Sequence, residues 1–231
     1  MDMPMRSLRC TAGWTLGSIS DAGDHGMSDV RFNKIVVTVN ALLPLGLLAY
    51  DGATGNLGAN PLEYFLRATG VLTLLMLLVT LAVTPLRKLT GWNDLIKLRR
   101  MLGLYAFFYG CLHFSTYIIF DRDLDFGGTV GDVVQRPFIA IGFASFLAMV
   151  PLAVTSTNGM IKRLGGKRWQ RLHKLIYPIA IGGVIHYWMI VKSDILYPAL
   201  FALVLFLLLI YRILAKRKTA AVKHAVPKQA G

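Results

Sequence analysis

Three of the five histidines in this 231-residue chain, His113, His173 and His186, stand within or at the edge of long apolar stretches. An imidazole placed in hydrocarbon is costly and is by default a candidate functional group. When neutral it can relay a proton, bond a neighbouring helix or offer a ring nitrogen to a metal. Spacing helps to separate these roles. His113 lies thirteen residues after Arg100 and His186 thirteen after His173. At ~1.5 Å per helical residue, each is roughly 20 Å in from the same basic boundary. Two helices running the same way then bring both imidazoles to one depth. An iron porphyrin with two axial imidazoles needs that arrangement, one neutral nitrogen from each of two helices.

The neighbours of these histidines are open to two readings. Gly110 lies one turn before His113, and Gly182 and Gly183 lie one turn before His186. Small residues there leave room for a flat macrocycle, or simply let helices pack closely. His173 differs from the pair: thirteen residues at about 100° each put it some 140° round the helix from His186. Pro178 between them is placed to kink the segment. His173 is therefore either a ligand of a second haem iron, an interfacial anchor or part of a quinone or flavin pocket. Tyr105, Tyr109 and Tyr117 flank His113 and are candidates to line a cofactor. Arg99, Arg100, Arg163, Lys167, Arg168 and Arg171 are anchors of the chain at the boundary, or partners for haem propionates or a phosphate.

The elements that must hold these residues follow from composition. The chain is 55% apolar and 16% charged, whereas soluble domains average about a quarter charged residues. A membrane span needs roughly 20 mostly apolar residues. Six candidates are expected, at about 34–50, 62–84, 101–120, 137–157, 174–191 and 195–213, with the first short and the fifth barely long enough. Of 25 Lys and Arg, four fall in residues 1–34, five in 85–100, six in 158–174 and six in 212–231. Six alternating spans put all of these on one side. By the positive-inside rule that side is the cytoplasm, and both termini lie there. The net charge of +13 is thus a topology signal, with some contact to anionic lipid, and not a nucleic-acid footprint. The expectation is an all-α integral membrane protein, a bundle of about six transmembrane helices.

Residues 1–30 lack the apolar run of a signal peptide and are expected to form a disordered extension. Met27, opening "MSDVRFNK", is an alternative start. Residues 31–215 form the expected membrane domain and 216–231 a basic tail. Cys10 and Cys111 are too far apart to pair, and no Cys-x-x-Cys motif occurs.

The blocks "TPLRKLTG", "LRRMLGLYAFFYGCLHFSTY", "QRPFIAIGF", "PLAVTSTNGMIKRLGGKRWQRLHKLIY" and "IHYW" together resemble the MsrQ (YedZ) family. That family is a branch of the ferric-reductase-like transmembrane superfamily, which also includes the NADPH oxidases. The likeness runs from about residue 34 to 215. It implies a multi-pass protein of the bacterial inner membrane that carries electrons from quinol, or from a cytoplasmic flavin reductase, to a periplasmic partner. The implied partner is an MsrP-like molybdopterin reductase that repairs oxidised methionine in proteins. The implied cofactors are one or two b haems, with FMN as well, and the family's functional histidines map onto His113, His173 and His186. "FLRATGVLTL" departs from the family pattern, because Arg67 precedes Gly70 where an Arg usually follows the Gly. No flavin or nicotinamide domain is visible, so the donor is expected to be another molecule. Reduction of ferric or other metal ions at the outer face is the alternative within the redox class. A proton-coupled transporter would need internal repeats, and none is visible.

Overall fold

The computed structural model describes the backbone of residues 21–225 and the side chains of 30–218. Among these residues every regular element is helical. In chain order they are α1 (Asp21–Thr54), α2 (Pro61–Thr90), α3 (Leu95–Thr116), α4 (Phe126–Gln135), α5 (Pro137–Val154), α6 (Asn158–Leu164), α7 (Gly166–Leu172), α8 (Ile176–Ile190) and α9 (Leu196–Ala225). A π-helical turn, Tyr117–Asp121, extends α3, and a 3-10 turn, His173–Leu175, joins α7 to α8.

Local chemistry sets the boundaries. Asn60 caps α2, its side chain accepting from the Glu63 N–H at 3.2 Å, and Pro61 occupies the first helical position, where no donor is missed. At the other end Gly91 takes a left-handed φ of 73° and returns its N–H to the Arg87 carbonyl. Asp125 caps α4 by accepting from the Gly128 N–H at 2.9 Å, and Thr157 caps α6.

Among the described residues five helices are long and apolar enough to cross a membrane: α1, α2, α3 with its π turn, α5 and α9. The expected fifth span is the exception. Its regular part, α8, has only 15 residues, about 22 Å at 1.5 Å each. Pro178 explains the short start. It sits in the first turn of α8, where its missing N–H costs nothing, so it opens this helix instead of kinking a longer one.

One other expectation needs correction. The helix begins at Asp21, so residues 21–30 continue α1 and are not a disordered extension; residues 1–20, with Cys10, lie outside the described residues. The basic tail is helical as far as Ala225.

Leu74, Leu77 and Leu81 of α2 pack on Leu98, Leu102, Ala106 and Tyr109 of α3, and Ile179, Ala180 and Val184 of α8 complete the core. Ala106 and Ala180 are fully buried. Small side chains at these crossings let backbones approach, which is how helices associate where lipid is as apolar as Leu. The Tyr109 hydroxyl donates to the Ala41 carbonyl and ties α1 to α3. The outer surface is inverted for water: Phe32, Leu43, Leu47, Leu203, Phe206 and Leu207 are all exposed. Helices that satisfy their own backbone and present such a belt suit hydrocarbon.

At the end of the bundle away from the basic loops, Asp132 of α4 is buried and pairs with Arg122 and with Arg136, whose Nε is 3.4 Å away. The Tyr117 hydroxyl also donates to Asp132, at 2.6 Å. One carboxylate thereby fastens the π turn, α4 and the start of α5.

Candidate functional site

Helices α3 and α8 bring His113 and His186 together. Their ring centres are 6.3 Å apart and their planes are nearly perpendicular, at 84°. Each ring is held from the neighbouring helix in the same way. His113 Nδ1 lies 3.0 Å from the Leu66 carbonyl oxygen of α2, and His186 Nδ1 lies 2.6 Å from the Phe138 carbonyl oxygen of α5. A carbonyl can only accept, so each Nδ1 carries the proton and donates. The Nε2 lone pair of each ring is thereby left free to bind a metal, and the hydrogen bond raises its basicity.

Four residues beyond each of these carbonyls is a glycine. A Cβ on Gly70 would stand 3.1 Å from His113 Cε1, and one on Gly142 would stand 2.7 Å from His186 Cε1 and Nδ1. Each imidazole thus lies against bare backbone while bonding the carbonyl one turn earlier. Gly142 admits no side chain without moving the ring; Gly70 is tight but less absolute.

The glycines beside the histidines in sequence serve a different purpose. A Cβ on Gly110 would meet Phe146, one on Gly182 would collide with the Ser145 hydroxyl, and one on Gly183 would lie 3.2 Å from Leu74. They are helix-crossing positions, so the macrocycle reading of Gly110, Gly182 and Gly183 gives way to packing. Two tyrosines also have other duties: Tyr109 ties α1 and Tyr117 bonds Asp132. Between α3 and α5, Phe114 and Phe146 stack with ring centres 4.7 Å apart, and Phe107 and Phe143 extend the cluster.

The separation of the two rings fits a shared metal. An imidazole nitrogen binds a metal at about 2 Å and sits about 1 Å from its own ring centre, so two opposed ligands place their centres about 6 Å apart. Among the described residues no group of three or more His, Cys, Asp or Glu is placed to hold an ion. The pair therefore suits a metal that brings its remaining ligands with it, as haem iron does.

His173 does not join this pair. It stacks on Trp169, with ring centres 3.9 Å apart, and its Nδ1 lies 3.1 Å from the Trp169 carbonyl of the preceding turn. The Trp169 indole in turn donates to the Thr155 carbonyl at 2.9 Å. His173 Nε2 is 3.5 Å from the Ser156 hydroxyl, whose proton goes to the Leu152 carbonyl at 2.6 Å. That leaves Nε2 with a lone pair and no good donor. Partial burial, with the nearby Arg99 charge adding to it, holds the His173 imidazole below the ordinary histidine range.

Among the basic residues, Arg163, Lys167, Arg168 and Arg171 are exposed. Arg100 bonds Asn158 and so links α3 to α6. Arg67 forms an exposed pair with Glu63 at 2.5 Å. Sequence reading missed Gly70 and Gly142 as ring contacts, although a lone Gly in an apolar span is a visible signal. It had no means of finding the Leu66 and Phe138 carbonyls, because any residue supplies one.

The family described as ferric reductase like transmembrane component matches residues 68–184, a range that holds His113 and His173 and stops two residues short of His186. Three relatives are each named as the haem-binding subunit MsrQ of a protein-methionine-sulfoxide reductase. The one from Herminiimonas arsenicoxydans is 53% identical over 182 residues, 78% of this chain and 84% of its own. The one from Ralstonia nicotianae is 55% identical over 159 residues, 69% of this chain and 73% of its own. The one from Rhodospirillum rubrum is 50% identical over 183 residues, 79% of this chain and 88% of its own. The chain belongs to the MsrQ family, within the ferric-reductase-like transmembrane proteins.

Proposed function

We propose that this MsrQ-family chain is the haem-binding, electron-carrying membrane subunit of a methionine sulfoxide reductase system, with His113 and His186 as the two axial ligands of a b-type haem. The observation that carries this reading is the pair itself, with rings 6.3 Å apart on two helices and both Nδ1 atoms bonded to backbone carbonyls. A haem bound there supplies reversible one-electron chemistry at iron.

The remaining work falls to the chain. The Leu66 and Phe138 carbonyls fix the tautomer and ring angle, so the ligands are organised before anything binds. Gly70 and Gly142 let the rings lie close to backbone. By the positive-inside rule the basic loops face the cytoplasm, and the pair then lies toward the periplasmic half of an inner membrane. Electrons enter from quinol or a cytoplasmic flavin reductase and leave to a periplasmic molybdopterin reductase of the MsrP kind. His173 belongs to the cytoplasmic side of that path. Its free Nε2 suits either a second haem iron or a hydrogen bond from a quinol or from FMN.

Purified protein should be red and give a low-spin b-type spectrum that sharpens on reduction. Colourless protein after expression with ample haem supply would overturn the proposal. The family description favours one other reading, reduction of ferric ions at the outer face. Reduced protein offered the MsrP partner and ferric chelates side by side separates the two.

A further inference from the structure

Tyr117, Arg122 and Arg136 converge on the buried Asp132 carboxylate at the end of the bundle away from the basic loops. Its Oδ2 accepts from the Tyr117 hydroxyl at 2.6 Å and pairs with Arg122, and its Oδ1 faces Arg136 Nε at 3.4 Å. Arg122 Nε also donates to the Tyr117 hydroxyl, at 3.3 Å, so three side chains close a ring. Taking a carboxylate out of water is costly, and a buried ionic cluster often stabilises a fold no better than apolar packing of the same volume. What it offers is direction, since charged hydrogen bonds hold angles and distances. The stacks of Phe107 and Phe114 on Phe146, which also join α3 to α5, are apolar contacts without that directionality.

Each arm of this cluster runs to one histidine seat. On the α3 side Tyr117 lies one turn beyond His113, and its backbone N–H bonds the His113 carbonyl. A π turn follows, in which the Arg122 N–H reaches back to the Tyr117 carbonyl at 3.0 Å; single π turns are frequent at functional sites. The chain then passes through Asp123 and Leu124 at φ of 48° and 62°, a left-handed conformation that a bulky side chain adopts only where its surroundings impose it. On the α5 side the Asp132 carbonyl accepts the Arg136 N–H at 2.8 Å, and the Arg136 carbonyl accepts the Ala140 N–H at 3.1 Å. Arg136 is extended, with φ −115° and ψ 102°, as the residue before a proline prefers, so α4 meets α5 at a stiff elbow. Two residues past Arg136 is Phe138, whose carbonyl seats His186.

We propose that Asp132 is a positioning residue for the haem site: it sets the Phe138 carbonyl, and through it the His186 ring, relative to His113. The inference rests on the haem ligation proposed above and adds the group that fixes the angle between the two rings. Asp132 acts through Tyr117 and Arg122 on one helix and through Arg136 on the other. An amide in its place keeps the volume and one acceptor oxygen but loses the charge and the second oxygen. The three partners then lack the acceptor they share, and the start of α5 is free to shift against the end of α3.

The test compares full-length protein, purified with its haem in detergent, as wild type, Asp132→Asn, Tyr117→Phe, Arg136→Gln and Asp125→Ala. Low-temperature electron paramagnetic resonance reads the angle between the axial imidazoles, and the melting temperature reads the fold. Asp132→Asn should keep its haem while the strongly anisotropic low-spin signal converts to a more rhombic one, with a shift in midpoint potential. Tyr117→Phe and Arg136→Gln each cut one arm and should give smaller changes in the same direction. Asp125→Ala removes the N-cap of α4 and should lower the melting temperature without changing the signal. An Asp132→Asn signal identical to wild type overturns the inference, and so does an equal change in Asp125→Ala, which marks a merely structural role. Wild type with no low-spin haem overturns the ligation itself, and this inference with it. Where Asp132→Asn lacks the wild-type helical circular dichroism, the two single-arm variants decide: unchanged signals in both overturn the inference.

Discussion

His186 and His173 stand at the two ends of one segment, yet they are held in opposite ways. His186 is fixed from outside its own helix, by the Phe138 carbonyl and the bare backbone of Gly142 on α5. His173 is fixed from within, by the carbonyl and indole of Trp169 one turn earlier. The first arrangement aims an imidazole at a neighbour, and that neighbour is His113, held from α2 in the same fashion. The second steadies a ring against its own helix and leaves its Nε2 without a good donor. The two seats differ in where the Nδ1 bond comes from, another helix for His186 and the residue's own turn for His173.

The largest effect expected from this contrast comes at the pair. If the proposed ligation holds, His113→Ala and His186→Ala should each abolish the low-spin spectrum and electron transfer, while His173→Ala leaves that spectrum in place. Haem content per chain and reduced-minus-oxidised spectra measure both. If His173→Ala removed the same band as His186→Ala, the contrast would fail.

Next in size are the glycines. Gly142→Ala puts a methyl where only 2.7 Å is available beside His186 and should lower retained haem by about tenfold or more, as losing a group that orients a metal ligand does. Gly70→Ala has 3.1 Å to work with, so it should keep its haem and shift only the reduction potential. Equal effects from the two would show that ring seating does not matter.

A smaller effect is expected on donor-side kinetics. His173→Ala should slow reduction from the cytoplasmic side without slowing oxidation by the partner, as stopped-flow from each direction would reveal.

The smallest effect concerns acid stability. Because burial lowers the His173 pKa, the unfolded chain takes up a proton that the folded chain refuses as pH falls through the ordinary imidazole range, near ~6.5. Stability therefore rises with pH across that window and is lost below it. The melting temperature of wild type relative to His173→Gln should fall on going from neutral to acid pH, and a constant difference would rule this out.

Much of the frame was legible in the sequence because hydrocarbon imposes strict rules: five of the six expected spans and the charge asymmetry follow from counting. The pairing of the His113 and His186 rings was readable for the same reason. Side-chain seating was not. Gly110 and Gly182 are nearer the histidines in sequence than Gly70 and Gly142, but helix rotation turns the former toward Phe146 and Ser145. Counting also cannot reveal that Pro85 frees a carbonyl for Arg212, a residue that reads in sequence as one more positive charge at the boundary. Nor does apolar composition show that α8 begins only at Ile176, after a 3-10 turn.

The central claim is that His113 and His186 clamp one iron between crossed imidazole planes. Low-temperature electron paramagnetic resonance of the oxidised protein tests it most directly. The 84° interplanar angle predicts a low-spin signal of the strongly anisotropic kind given by perpendicular axial imidazoles, lost in either alanine variant. A high-spin signal in wild type, or a low-spin signal that survives His113→Ala, would contradict it.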